Sequence, residues 1–169
     1  MRIEPMKAAS GDLPTGAEWS YEIKWDGIRI VAQIPEATQL ANAADAGAKV
    51  RLWSTTGIDR SPEFGAICDQ LPIATQGQAC VLDGEVVALD TSGRADFRML
   101  QRHRTDGHPT VFVVFDLLEL HGRDTRDLPL ADRLDRRSGG AGGTIRHGAF
   151  KGFRDDKDPA SVTIDEVQS

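Results

Sequence analysis

The chain has 169 residues, enough for one domain with a real core and too few for two full ones. Its 40% hydrophobic and 27% charged content is that of an ordinary soluble protein, and no apolar run approaches membrane-spanning length. A formal net charge of −6 runs against broad nucleic-acid binding, so such a partner would have to meet a local basic surface.

Residues 1–18 carry Pro5, Pro14 and several glycine or serine positions without sustained periodicity, which predicts an irregular lead-in. Met1 to Leu13 lacks a basic start and an apolar core, so it is no secretory signal, and a cytoplasmic protein is expected. Tyr21, Ile23 and Trp25 then alternate with Glu22, Lys24 and Asp26, the period of a half-buried strand. Gly27 follows Asp26 in a turn-forming pair, and Ile28, Ile30 and Ala32 resume the alternation with Arg29 opposite. The pattern predicts a hairpin that crowds an amine, a carboxylate and a guanidinium. That grouping suits phosphate chemistry: a neutral lysine is a nucleophile, arginine offers a planar fork, and a carboxylate can orient the amine or hold a metal. The same charges also fit a solvated surface hairpin.

Residues 35–48 read as a polar loop with at most one helical turn. A strand is expected from Lys49, with Val50, Leu52 and Ser54 on one face and Thr55-Thr56-Gly57 ending it. Pro62 to Leu71 fits an amphipathic helix with Ser61 as its cap and Phe64, Ile67, Cys68 and Leu71 on one side. Ala79 to Asp90 reads as two strand halves around Asp83-Gly84, and Thr91-Ser92-Gly93 as a turn. A short helix carries Phe97, Leu100 and Gln101. Val111 to Leu120, the most hydrophobic run, predicts a central strand. His121-Gly122 turns the chain into a helix over Leu128 to Arg137. Four glycines in the six residues 138–143 mark a junction, and Thr144 to Phe150 reads as a last strand before a charged tail. Cys68 and Cys80 belong to no CxxC pair and have no histidine close by, so they read as reduced small hydrophobes and zinc is not expected. Strands and hairpin turns dominate, which makes the class α+β with a mainly antiparallel sheet and flanking helices.

Lys24-Trp25-Asp26-Gly27-Ile28-Arg29 resembles motif I, KxDGxR, of the covalent nucleotidyltransferases, which include ATP-dependent DNA ligases, RNA ligases and capping enzymes. Further motifs follow in the family's order. Leu82-Asp83-Gly84-Glu85-Val86-Val87 looks like motif III, Val114-Phe115-Asp116-Leu117-Leu118 like motif IIIa, and Arg154-Asp155-Asp156-Lys157 like motif VI. The flanks Pro14-Thr15-Gly16, Glu22-Ile23-Lys24-Trp25 and His121-Gly122-Arg123-Asp124 resemble bacterial ATP-dependent DNA ligases, above all the ligase domain of the end-joining ligase D family.

The resemblance implies a partial adenylation domain over 1–137, a junction at 138–143, and in 144–169 a remnant of the end of an OB-fold that is otherwise almost entirely absent. It implies an enzyme that takes ATP and Mg²⁺ and seals nicked or broken double-stranded DNA in repair, with no membrane. By it, Lys24 is the nucleophile that forms lysyl-AMP, and Asp26 orients it. Glu85 meets the metal or the ribose hydroxyls, Phe115 stacks on adenine, and Glu22 lies beside the adenine edge. Arg29 grips the nucleotide or a DNA 5′-phosphate, while Arg154 and Lys157 orient pyrophosphate.

Two departures from the pattern stand out. Ser54-Thr55-Thr56-Gly57 occupies the place of motif Ia, usually S-R-N-G, and so lacks its arginine. Between Asp116 and Arg154 nothing resembles the motif IV glutamate or the motif V lysines, as in an internally deleted ligase. Impaired activity is therefore expected, and the alternative is a non-catalytic remnant or a DNA- or protein-binding module.

Overall fold

The computed structural model describes residues 11–12, 15–16, 22–41 and 48–133. They form one antiparallel five-stranded sheet with helices. In chain order the elements are β1 (Ile28–Ile34), α1 (Ala37–Ala41), β2 (Arg51–Ser54), α2 (Gly65–Ala74), β3 (Cys80–Ala88), α3 (Phe97–Asp106), β4 (Thr110–Leu120) and β5 (Arg123–Asp124). The strand order is β2-β1-β3-β4-β5. This agrees with the α+β, mainly antiparallel expectation. Residues 138–169, with the expected junction and OB-fold remnant, lie outside the described residues.

Side chains alternate across the sheet, and the alternation divides its two faces by chemistry. Ile30, Ala32 and Ile34 of β1 join Leu82, Val86 and Ala88 of β3 and Phe112 and Leu117 of β4 in the main core. Phe64, Ile67 and Leu71 from the α2 region and Leu100 from α3 close that core from one side. Each of the larger of these side chains contributes about 2 kcal/mol by leaving water. The opposite face holds a smaller cluster of Val31, Val81 and Leu118 and the buried Val87 and Val113, and among these apolar positions stand the charged residues.

Val50, Leu52 and Ser54 are buried together as expected. Three expectations need correction. Residues 22–26 make no strand, and Ile23 is 65% exposed. The chain bends at Gly27 and joins the sheet only at Ile28, because the Gly27 N–H is aimed at a side chain instead of a strand carbonyl. Asp83-Gly84 does not divide the strand but lies inside the continuous β3, at a point where its pairing with β4 shifts register. A β-carbon on Gly84 would stand 2.3 Å from the Val113 carbonyl oxygen and 2.7 Å from the Phe112 ring, so close packing requires the glycine. The middle of the sheet is β3, which pairs with β1 and β4 along its length, whereas β5 covers only two positions of β4.

Helix boundaries shift for a similar reason. The Ser61 hydroxyl accepts the Leu52 N–H at 2.9 Å and donates to Asp59 at 2.6 Å, so it is not available as a cap, and α2 starts at Gly65. In α3 the Asp96 carboxylate accepts the N–H groups of Arg98 and Met99, and Gly107 ends the helix with φ 71°. His121 and Gly122, with φ 50° and 75°, make the tight turn between β4 and β5. Beyond it the chain becomes helical at 130, directly after Pro129.

Candidate active site

Arg29 is the residue through which the strands meet on the charged face. Its Nε donates to Asp83 Oδ1 at 3.1 Å and its Nη2 to Asp83 Oδ2 at 2.8 Å, a two-pronged pairing. The Asp83 side chain is only 3% exposed. Burial pushes its carboxyl above the ordinary value, against the hydrogen bond and charge of Arg29. Asp83 in turn raises the Arg29 guanidinium. The Arg29 guanidinium carbon lies 5.1 Å from the centre of the Phe115 ring, so cation and aromatic face are stacked.

Glu85 stands directly across from Arg29 in the register of β1 and β3. Its Oε1 accepts the Gly27 N–H at 3.1 Å. Burial raises the Glu85 carboxyl, while the Gly27 hydrogen bond and the charges of Arg29 and Lys24 pull it back. Lys24 therefore lies within electrostatic reach of Glu85, on an exposed segment three residues before the glycine. Glu22 and Asp26 are exposed on the same segment.

A second ion pair borders the first. Arg133 donates from Nε and Nη2 to the two oxygens of Asp116 at 2.9 and 3.1 Å. Its Nη1 donates to the carbonyls of Arg126 and Leu128 at 2.9 and 3.2 Å. Asp116 pairs with Asp83 in the register of β3 and β4.

Three of the expected site residues, Arg29, Glu85 and Phe115, thus gather at one end of one face, with Lys24 within electrostatic reach of Glu85. Arg29, Glu85 and Phe115 stand on strands, with Lys24 and Asp26 on the approach to β1; Glu22 is on the same approach. Arg154 and Lys157 lie outside the described residues. At the motif Ia position, the Ser54 and Thr56 hydroxyls are 3.0 Å apart and Ser54 Oγ accepts the Ile58 N–H, so this turn closes on itself. Asp83, Asp116 and Arg133 received no role from the sequence. The first two sat inside quoted motifs, and their spacing from Glu85 and Phe115 was the available signal. Arg133 had none. An open cavity of about 840 Å³ lined by Gln33, Glu36, Lys49, Glu119 and His121 lies at the other end of the sheet and holds none of these residues.

The fold is that of a DNA ligase domain. A structure titled mycobacterial DNA ligase D complexed with ATP and MES superposes with a TM-score of 0.56 at 32% identity, covering 68% of this chain and 34% of that one. The ligase domain of Mycobacterium tuberculosis LigD gives a TM-score of 0.52 at 32% identity over the same shares. In sequence, residues 3–136 match the ATP dependent DNA ligase domain family, and the chain belongs to that family. The multifunctional non-homologous end joining protein LigD of Pseudomonas aeruginosa is 34% identical over 137 residues, which is 79% of this chain and 15% of that protein. The bifunctional non-homologous end joining protein LigD of Bacillus subtilis is 33% identical over 135 residues, 71% of this chain and 20% of that protein. The chain spans a fifth or less of the length of these relatives. Among the described residues no helix is long and apolar enough to cross a membrane.

Proposed function

We propose that this chain carries the nucleotide-charging step of an ATP-dependent DNA ligase, with Lys24 as the nucleophile. In that step the neutral Lys24 Nζ attacks the α-phosphorus of ATP, a P–N bond forms, the bond to the bridging oxygen breaks, pyrophosphate leaves, and the nitrogen gives up one proton to solvent. The adenylyl group would pass to the 5′-phosphate of nicked or broken double-stranded DNA. The observation that supports this reading best is the hydrogen bond from Gly27 to Glu85, which fastens the lysine-bearing segment beside a half-buried carboxylate.

The other residues take roles that fit their surroundings. With Arg29 over one face of the Phe115 ring, the adenine would take the other. Glu22 would meet the adenine edge, and Asp26 would orient the Lys24 amine. Arg29 would offer its remaining N–H groups to the nucleotide or the DNA phosphate. Arg154 and Lys157 would orient the leaving pyrophosphate.

Mg²⁺ fits this set in a modest way. Among the described residues no three or more His, Cys, Asp or Glu side chains gather as a metal site, and Asp83 and Asp116 are committed to arginines. Glu85 keeps one oxygen outside the Gly27 hydrogen bond, and Mg²⁺ needs one or two carboxylates besides phosphates and water. When bound, the ion supplies positive charge to the phosphate oxygens.

The missing motif IV and V residues favour a second reading, a non-catalytic remnant or a DNA- or protein-binding module. Each absent phosphate contact is worth about 3 kcal/mol of barrier. Incubation with α-labelled ATP and Mg²⁺, followed by a denaturing gel, separates the two. A covalent label that disappears in Lys24→Ala supports charging, and no label on the folded chain leaves only the module.

A further inference from the structure

Asp83 and Asp116 face each other across β3 and β4, and their side chains are 3% and 17% exposed. Two carboxylates directly opposed in a sheet repel each other, and burial strengthens the repulsion. Each is held from its outer side by an arginine fork, Arg29 on Asp83 and Arg133 on Asp116. The result is a row of four charges, Arg29–Asp83–Asp116–Arg133, reaching from β1 across the sheet to the helical turn after β5.

The row has a functional end and a structural end. At the first, Arg29 stacks on Phe115, the chain neighbour of Asp116. At the second, Arg133 is fixed independently of Asp116 by the carbonyls of Arg126 and Leu128, and its side chain is 13% exposed. Without Arg133, Asp116 would keep the hydrogen bond from the Leu117 N–H but lose its cation. The next cation within its reach is Arg29, on which Asp116 already acts electrostatically. Arg29 cannot serve two carboxylates with one fork and stay over Phe115.

We infer that Arg133 is a positioning residue of the nucleotide site: by neutralising Asp116 it leaves Arg29 to Asp83 and keeps the guanidinium stacked on Phe115. The inference rests on the proposed charging function only in its effect on ATP, since the position of Arg29 can be followed without nucleotide.

Two measurements on the full chain separate the cases. The first is the Arg29 Nε–H resonance, identified by its loss in Arg29→Lys. The second is the ATP concentration for half-maximal self-adenylylation. Arg133→Met is expected to move the resonance and to raise the half-maximal ATP concentration about tenfold, with the rate at saturating ATP changed less than about twofold. In an Asp116→Asn background, with the opposing charge gone, the same substitution is expected to change neither. A folded Arg133→Met with an unmoved resonance overturns the inference, as does an equal loss in both backgrounds, which would make Arg133 a structural strut. If the parent takes no label but the resonance moves in one background and not the other, the positioning of Arg29 stands and the charging function falls.

Discussion

The backbone N–H of Gly27 donates to Oε1 of Glu85 at 3.1 Å, so the chain that carries Lys24 is fastened to the middle strand by a side chain. A β-carbon at Gly27 would lie 2.2 Å from the Val86 carbonyl oxygen and 2.8 Å from Val87 Cγ1. Neither atom can withdraw without moving β3. Gly27→Ala should therefore lower the unfolding free energy by about 2 kcal/mol in a urea titration and depress self-adenylylation. An unchanged midpoint would mean that the segment can swing clear of β3.

Glu85 sets a stability against pH relation with a definite sign. Its carboxyl is raised above the ordinary 4.5, chiefly by burial. The unfolded chain thus gives up this proton first, so the contribution of Glu85 to stability falls as pH rises from 4.5 through the raised value, and then levels off. Glu85→Gln keeps an oxygen for the Gly27 N–H and removes the ionisation. At neutral pH the variant should be at least as stable as the parent while losing the label. The difference between the two urea midpoints should grow between about pH 4 and pH 7. A difference that shrinks over that range would reverse the assignment.

Arg29→Met leaves the buried Asp83 carboxylate without its fork. Removing one partner of such a pair costs about 3 kcal/mol or more, because the remaining charge stays out of water. Arg29→Met combined with Asp83→Asn should recover most of this loss, as measured by calorimetric melting of all four members of the cycle. If the double variant melts as low as Arg29→Met, the guanidinium serves packing on Phe115 more than charge.

Cys80 is buried at the start of β3, and burial pushes its thiol up to about 12. The half-buried Cys68 is raised as well, by burial and by the nearby Asp69 and Asp59. Under native conditions at about pH 8, iodoacetamide should leave Cys80 unmodified, and both cysteines should react once the chain is denatured. Peptide mass spectrometry gives the site occupancy. Rapid native alkylation of Cys80 would show that the β3 end of the sheet opens readily.

The antiparallel class, the turn at residues 91–93, the helix around Leu100 and the long strand 110–120 were legible in the sequence, because each shows in local pattern and turn chemistry. The failures came where a distant partner decides. Alternation over 21–26 implied a strand, but an alternating pattern forms one only beside another strand, and Gly27 is bonded to a side chain. Asp83-Gly84 looked like a break between two strand halves, yet the glycine admits Phe112 and the aspartate answers Arg29. Within the site, residues in known motifs could be named, but their mutual geometry could not. The opposed Asp83 and Asp116 and the distant Arg133 depend on strand register, which no single-residue signal carries.

The hydrogen bonds that build the site join residues 54 and 58 positions apart in sequence, Arg29 to Asp83 and Gly27 to Glu85. Helices and the β4–β5 turn can form from neighbouring residues, but these contacts require closure of a long loop and so belong to the slow, late part of folding. The helices are at most ten residues long and marginal without their tertiary contacts, so a newly made or partly unfolded chain has no site. Local opening at the β1–β3 seam would dismantle the charge row first, so amide exchange at Arg29 and Glu85 gauges how much of the population has the site assembled at any moment.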